Sequence, residues 1–177
     1  MKKNFLTFFL LLIIFGTASA QKFGYIDSEY ILKKMPEYKE AQKELDKLSQ
    51  GWQKDIETKK QEVDKLKEDF QAEEVLLTQD MKEERLALIQ EKEKELKEYQ
   101  KKTFGFEGLI FLKRQELVKP VQDKLYEAVE KVAKAKRLQI LFDKAGDLVM
   151  IYTNPIHDYT DYVLEELGLG DPNDTIK

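Results

Sequence analysis

The sequence contains no cysteine and a single histidine, His157. Without cysteine the chain forms no disulfide, has no thiolate nucleophile or sulfur-ligated metal site, and offers no processed N-terminal cysteine for a lipid anchor. One histidine excludes multi-histidine metal centres and histidine-paired nucleophiles, and its place after Asn154-Pro155 is typical of a surface loop. We therefore expect a protein that is not an enzyme and uses no metal or cofactor.

The sequence also lacks an excess of positive charge. It has 34 acidic and 30 basic residues, a formal net charge of −4. Residues 37–137 hold 24 acidic and 23 basic residues, whereas residues 138–177 hold eight acidic and two basic ones. Nucleic-acid binding depends on clustered basic side chains that replace phosphate counterions. The charge pattern therefore predicts no nucleic-acid partner.

The N-terminal residues 1–20 contain the longest apolar run in the chain. Met1-Lys2-Lys3 is basic, Phe5 to Phe15 is apolar except for Thr7, and Ala18-Ser19-Ala20 is a small-residue cleavage pattern. This order is typical of a secretory signal peptide, removed before Gln21. The alternative is an uncleaved anchor, but a run of about eleven residues is short for a bilayer core of about 30 Å.

Apolar residues three and four apart dominate residues 37–137. Such spacing places them on one face of an amphipathic helix, and the charged residues between them face water. The first series is Tyr38, Ala41, Leu45, Leu48, Trp52, Ile56, Val63, Leu66, Phe70 and Leu77. The second series is Leu86, Ile89, Leu96, Tyr99, Phe106, Ile110, Leu117, Val121, Leu125, Ala128 and Val132. Two long helices with heptad seams are predicted.

The seam is interrupted between Leu77 and Met81, where Thr78 or Asp80 would cap the second helix. A chain reversal near 78–81 would stand the helices antiparallel as an arm of roughly 60 Å. The alternative is one continuous parallel coiled coil through residue 135. No proline or glycine marks the turn.

The flanks of the helical region are β-prone. Residues 23–27 form one short run, and residues 139–143 and 147–152 form two more, separated by a turn that contains Gly146. Thr160-Asp161 would cap a short helix that stops at Gly168. These elements bury too small a core for independent stability, and open sheet edges invite pairing with another copy. We expect self-association through the sheet.

The order of these elements, with strand residues 23–28 at one end and Asp158-Tyr159-Thr160-Asp161-Tyr162-Val163-Leu164 at the other, resembles the Skp/OmpH family of periplasmic chaperones for outer-membrane proteins. The resemblance covers 21–169. It implies an α+β, mostly α fold: a long antiparallel coiled-coil hairpin projecting from a small β-barrel body formed by trimerisation. It also implies an ATP-independent holdase that keeps unfolded outer-membrane β-barrel proteins in a cavity between three arms.

On this basis the chain divides into a signal peptide (1–20), a discontinuous trimerisation body (21–36 and 138–169), a hairpin arm (37–137) and a disordered tail (170–177). The expected body residues are Phe23, Tyr25, Ile26, Ile140, Phe142, Val149 and Ile151. Better-known members of the family have strongly basic arms, whereas these arms are nearly neutral. Direct binding to anionic lipid or lipopolysaccharide is therefore not expected.

The middle of the arm carries three glycines and several large apolar residues. We hypothesise that Gly51, Gly105 and Gly108 form a hinge, because glycine inside a helix costs about 1 kcal/mol relative to alanine. Around them an apolar lining for client proteins is predicted from Trp52, Phe104, Phe106, Ile110 and Phe111. The alternative is that the glycines only make room for aromatic side chains in the hairpin packing.

A second candidate client contact lies near the predicted turn, at Val75, Leu76, Leu77 and Met81. Exposed apolar side chains with a flexible methionine among them suit promiscuous binding. The alternative is that these residues only close the end of the hairpin. For the whole protein, the alternative to a holdase is a non-catalytic coiled-coil spacer or scaffold of the cell envelope.

Overall fold

The computed structural model describes residues 21–146 and 149–171. The predicted signal peptide and residues 172–177 of the predicted tail lie outside the described residues. The chain divides into two compact units, an arm (residues 32–124) and a body (residues 21–31 and 125 onward). Most described residues are helical and the sheet has two strands, so the predicted α+β, mostly α class is confirmed.

The arm is a helical hairpin. Helix α2 spans Pro36–Glu73 and helix α3 spans Gln79–Phe104. Ion pairs join them near the turn, where Arg85 approaches Glu73 at 3.8 Å. Farther along, Tyr99 donates a hydrogen bond of 2.9 Å to Asp55. The chain therefore reverses between the two helices, and the alternative of one continuous coiled coil is wrong.

The turn begins a few residues earlier than the sequence predicts. A 3₁₀ turn at Glu74–Leu76 follows α2, and Leu77 is extended. The Thr78 hydroxyl then accepts a hydrogen bond from the Met81 N–H at 3.4 Å, which makes Thr78 the N-cap of α3. Of the two predicted caps, Thr78 is therefore right. No glycine is needed because the short 3₁₀ turn reverses the chain with ordinary backbone angles.

Packing between the helices follows the predicted seam. In the arm, a buried cluster forms from Ala41, Leu45 and Val118, with Tyr38, Ile110 and Leu117 packed against it. Val63 and Ile89 are also buried along the hairpin. The charged residues between these positions are largely exposed. The three-and-four spacing therefore predicted the buried face, except at Leu86 and Phe106, which are exposed.

The returning half of the hairpin is not one helix. After α3 ends at Phe104, helix α4 begins at Leu109 and runs to Lys136, with Pro120 inside it. Residues 105–108 leave the helical path, and Glu107 has a φ of +52°. Two glycines lower helix propensity here. The prediction of a second long helix is therefore correct at both ends and wrong at residues 105–108.

The body contains a parallel two-stranded sheet. Strand β1 (Phe23–Ile26) pairs with strand β2 (Ile140–Asp143), with Phe23 opposite Ile140 and Ile26 opposite Asp143. Helix α1 (Ser28–Lys34) follows β1 directly and was not predicted. Asp27 initiates it by accepting a hydrogen bond from the Tyr30 N–H at 2.9 Å.

The predicted third strand is absent from the described residues. Residues 149–152 have no strand structure, and 147–148 lie outside the described part of the chain. Val149 and Ile151 are 85% and 97% exposed. These β-branched and aromatic residues favour an extended conformation, but a strand forms only where another strand offers hydrogen bonds. The prediction of a β-hairpin from residues 139–152 is therefore wrong for this chain alone.

Helix α5 (Thr160–Glu166) closes the body. Val163 and Leu164 on α5 are buried, as are Leu125, Ala128 and Val132 of α4. Thr160 does not cap α5 as predicted, because its hydroxyl accepts a hydrogen bond from the Asp27 N–H. Gly168 has a φ of +73° and ends the helix as predicted. Among the described residues, no helix has the length and apolar content required to cross a bilayer.

Candidate functional site

Two predicted client-binding residues meet in the middle of the arm. Trp52 on α2 and Phe104 at the end of α3 contact each other edge to face, with ring centroids 6.3 Å apart at 84°. The indole is half-buried, and Phe104 is 38% exposed. The contact brings residues 51–52 to the same height as the helix break. The pair both supports the hairpin and leaves part of an aromatic surface open to solvent.

The break itself is a four-residue loop, Gly105–Gly108. The Gly105 N–H donates to the Lys101 carbonyl at 2.9 Å, and the Gly108 N–H donates to the Gly105 carbonyl at 2.9 Å. Between them Phe106 is 96% exposed. The heptad pattern placed Phe106 on the seam, but the loop turns it away from the hairpin packing. An aromatic side chain is thus held in solvent in the middle of a charged arm.

The three predicted hinge glycines have different surroundings. A Cβ at Gly51 would meet nothing within 4 Å. A Cβ at Gly105 would lie 2.3 Å from the Lys101 carbonyl oxygen, and one at Gly108 would lie 2.8 Å from that of Thr103. The nearest atoms are therefore backbone, not aromatic side chains. The loop glycines are needed by the loop, whereas Gly51 is an exposed glycine in an unbroken helix.

The first turn of α4 carries the other predicted mid-arm residues. Ile110 packs against the buried cluster of the arm, so it stabilises the hairpin. Phe111 is 43% exposed and Leu112 is 51% exposed. Leu112 was not among the predicted client-binding residues, although the apolar run from Leu109 to Leu112 was the signal that some of these side chains must face water.

Apolar residues at the turn are exposed. Val75 is 89% and Leu76 is 82% exposed, Met81 is 45% exposed, and Leu77 is half-buried. Val75 and Leu76 therefore do not close the end of the hairpin by packing. Together with Phe106 they form the most exposed large apolar side chains of the arm.

A second apolar surface lies on the body. A groove of about 340 Å³ is lined by the sheet and the segment after it: Phe23, Gly24, Tyr25, Phe142, Met150, Tyr152, Thr153, Asn154 and His157. The predicted body residues Tyr25 and Ile26 are buried within the chain. The other five, Phe23, Ile140, Phe142, Val149 and Ile151, are exposed. Met150 and Tyr152 line the groove and were not predicted.

The perturbed ionisable groups of the arm belong to surface ion pairs, apart from Tyr99. A hydrogen bond from Lys124 holds the pKa of Glu37 below its usual range. The hydrogen bond between Lys67 and Glu93 lowers the pKa of Glu93 and raises the pKa of Lys67. Burial, with the hydrogen bond to Asp55 second, raises the pKa of Tyr99. These shifts move the pKa values away from neutral pH, whereas acid–base catalysis requires pKa values near the working pH.

The described residues contain no group of three or more histidine, cysteine, aspartate or glutamate side chains arranged to hold a metal ion. His157 lies in a 3₁₀ turn (Pro155–His157) with its ring 4.9 Å from that of Phe23. The geometry therefore offers apolar contact surfaces and ion pairs that stabilise helices. It is suited to binding.

Comparison with known proteins gives a consistent result. A chain from Caulobacter crescentus, described as a putative outer membrane chaperone (OmpH-like), has a solved structure that superposes with a TM-score of 0.68. The match covers 91% of this chain and 94% of that chain at 18% identity, which shows a shared fold. An uncharacterized protein of Aquifex aeolicus (strain VF5) is 29% identical over 160 residues, which cover 90% of this chain and 94% of the relative.

The sequence model of the family described as outer membrane protein (OmpH-like) matches residues 22–167. The match includes both strands, the whole hairpin and the C-terminal helix α5. It therefore extends over the arm and the body alike and does not rest on the coiled-coil region alone. The chain belongs to the OmpH-like family.

Proposed function

We propose that this protein is an ATP-independent holdase chaperone of the periplasm that binds unfolded outer-membrane β-barrel proteins and prevents their aggregation. Family membership supports a chaperone role in general. The observation that carries the proposal is the exposure of large apolar side chains on an otherwise charged hairpin, with Phe106, Val75 and Leu76 each more than 80% exposed. Exposed apolar groups of this kind mark interaction surfaces.

The contact residues are spaced along the arm. Phe106 and Phe111 lie in its middle, and Val75, Leu76 and Met81 lie at its turn. Each exposed side chain offers a small contact without a shaped pocket, which suits unfolded segments of varied sequence. Weak contacts add up when several engage one client at once. Client binding by dispersed contacts therefore needs no nucleotide-driven cycle.

Self-association is the second part of the proposal. Five of the predicted body residues are exposed in the single chain, and the groove beside β1 is lined by apolar side chains. Pairing with other copies would cover this surface and supply strand partners for residues 149–152. We propose a homotrimer, with clients held among the arms. Anionic lipid and lipopolysaccharide are not proposed as ligands, because the arm carries nearly equal numbers of acidic and basic residues.

The hinge is the third part. The loop 105–108 interrupts the returning helix at the height where α2 contains Gly51. The returning helix is broken here, and Gly51 lowers the helix propensity of α2 at the same height. Such a pair bends more easily than two intact helices. We propose that this point lets the arm adjust to clients of different size.

Dilution of a urea-unfolded outer-membrane β-barrel protein into buffer, followed by light scattering, tests the proposal. Residues 21–177 are titrated without ATP, and the expected result is suppression that saturates near one trimer per client. The wild-type protein is compared with a Val75→Ser, Leu76→Ser, Phe106→Ser variant. These three positions are exposed, so the substitutions should leave the fold intact and weaken the suppression of aggregation. Undiminished scattering across the titration would instead indicate an envelope spacer or scaffold.

A further inference from the structure

The loop at Gly105–Gly108 has several features that raise the free energy of the arm. Glu107 adopts the left-handed backbone region at a φ of +52°, which is unfavourable for a side chain with a Cβ. The hydroxyl of Thr103 next to the loop is buried and has no hydrogen-bond partner. Phe106 gains no packing, since it is 96% exposed. A segment that holds these costs together needs a compensating role.

The sequence of the same segment also fits an unbroken helix. Phe106 lies seven residues after Tyr99 and four before Ile110, and both of these side chains are half-buried seam residues. In a continuous helix this spacing would turn Phe106 toward α2 and bury it. What opposes that state is the low helix propensity of Gly105 and Gly108.

Resting on the function proposed above, we propose that Gly105–Gly108 is a helix-to-loop switch that controls whether Phe106 is offered to an unfolded client or packed on the hairpin seam. The loop state carries the strained backbone at Glu107 and leaves Phe106 unpacked. The helical state would carry two glycines inside a helix, a cost that burial of Phe106 on the seam would offset. A client that contacts Phe106 selects the loop state.

The glycines give a direct way to bias the switch. Alanine at Gly105 and Gly108 would place Cβ atoms 2.3 Å and 2.8 Å from backbone oxygens of the loop state. The same substitutions favour helix. The Gly105→Ala, Gly108→Ala variant should therefore favour the helical state, in which Phe106 packs on the seam and cannot contact a client. Phe106→Ser removes the contact and leaves the glycines in place, and Gly51→Ala is the matched control, since its Cβ meets nothing within 4 Å.

Amide hydrogen exchange and client affinity are measured together on residues 21–177 and these variants, with a fluorescently labelled urea-unfolded β-barrel protein as the probe. The double glycine variant should show slower exchange at residues 106–109 and roughly fivefold weaker client binding. Phe106→Ser should weaken binding similarly with exchange in α3 and α4 unchanged. Gly51→Ala should leave exchange at residues 106–109 unchanged, because its Cβ meets no atom within 4 Å.

Two results would overturn the switch. Unchanged hydrogen exchange at residues 106–109 in the double glycine variant would mean that the segment does not become helical. Slower exchange with full client affinity would mean that Phe106 is not the contact. A wild-type protein that binds no unfolded client would contradict the proposed function instead, and the exchange data would still report on the helix.

Discussion

At the scale of single residues, Gly24 is a position where the body has no room for a side chain. A Cβ there would lie 2.3 Å from Cδ2 and 2.4 Å from Cε2 of the Tyr159 ring. The Tyr159 N–H donates to the Tyr25 carbonyl at 2.9 Å, which fixes the Tyr159 backbone beside β1, and the Tyr159 ring contacts the Tyr162 ring with centroids 5.6 Å apart. The ring thus packs directly on the backbone of β1.

We expect Gly24→Ala to lower the free energy of unfolding by about 1–3 kcal/mol, as overpacking in a filled site usually does. Gly51→Ala should be neutral or stabilising by up to about 1 kcal/mol, because that helical position is open. Urea unfolding followed by circular dichroism measures both. A Gly24→Ala protein as stable as wild type would show that Tyr159 moves freely.

Thr103 offers a second test at the residue scale. Its side chain is fully buried and its hydroxyl has no partner. Thr103→Val keeps the shape and removes the unpaired polar group, so we expect it to raise stability by about 1 kcal/mol. Thr103→Ser keeps the hydroxyl and removes a methyl group, so it should lower stability by about 1 kcal/mol. A destabilised valine variant would indicate that the hydroxyl does have a partner, such as water.

At the scale of helices, ion pairs between the two halves of the hairpin make arm stability depend on pH. The pKa values of Glu37 and Glu93 are lowered by hydrogen bonds from Lys124 and Lys67. A lowered pKa in the folded state means that the stabilisation is present at neutral pH. The loss of this stabilisation begins as the pH falls below the usual glutamate pKa and is complete once the pH lies below the lowered folded-state pKa.

We therefore expect the melting temperature of the arm to fall between pH 7 and about pH 3.5, by a small amount because the pairs are exposed. A Glu37→Gln, Glu93→Gln variant should show a smaller fall over the same range, and added salt should reduce the difference. Thermal melts monitored by helical circular dichroism provide the measurement. An identical fall in both proteins would mean that other carboxylates carry the effect.

The helical elements also show which parts of the fold are readable from sequence. The seam residues Leu45 and Val121 were predicted as buried because their spacing reports the helix face directly. Gly105 and Gly108 indicated a hinge at this point, but the loop at residues 105–108 was not predicted because Phe106 and Ile110 continue the same spacing across it. Helix α1 was missed because seven residues are too few for a periodic signal.

At the scale of the whole molecule, residues 149–152 are β-prone in sequence but form no strand in the single chain. The β-prone run and the preceding glycine-containing turn predicted a strand, whereas the single chain leaves Val149 and Ile151 in solvent. Likewise, the sequence marks Phe106 as unusual. Its spacing alone does not show that the side chain is exposed, because the same spacing fits a buried seam position. Burial and strand pairing are tertiary properties, and local pattern reports only the tendency toward them.

Ile151→Asp tests the assembly. Ile151 is 97% exposed, so the substitution should leave the single chain folded, whereas a buried charge in a subunit contact would be strongly unfavourable. We expect sedimentation velocity to show a trimer for residues 21–177 and mainly monomer for Ile151→Asp. Phe106→Ser, an equally exposed change on the arm, should keep the trimer mass. A wild-type monomer at all concentrations would contradict self-association through the body.

The proposed function requires that exposed apolar groups on the arm recognise non-native polypeptide. The most direct measurement is the affinity of residues 21–177, without ATP, for one outer-membrane β-barrel protein presented either unfolded or already folded in detergent micelles. Fluorescence anisotropy of the labelled client reports both, with empty micelles as the control. We predict saturable binding of the unfolded form and none of the folded form; equal binding of both forms, or binding of the folded form alone, would contradict the account.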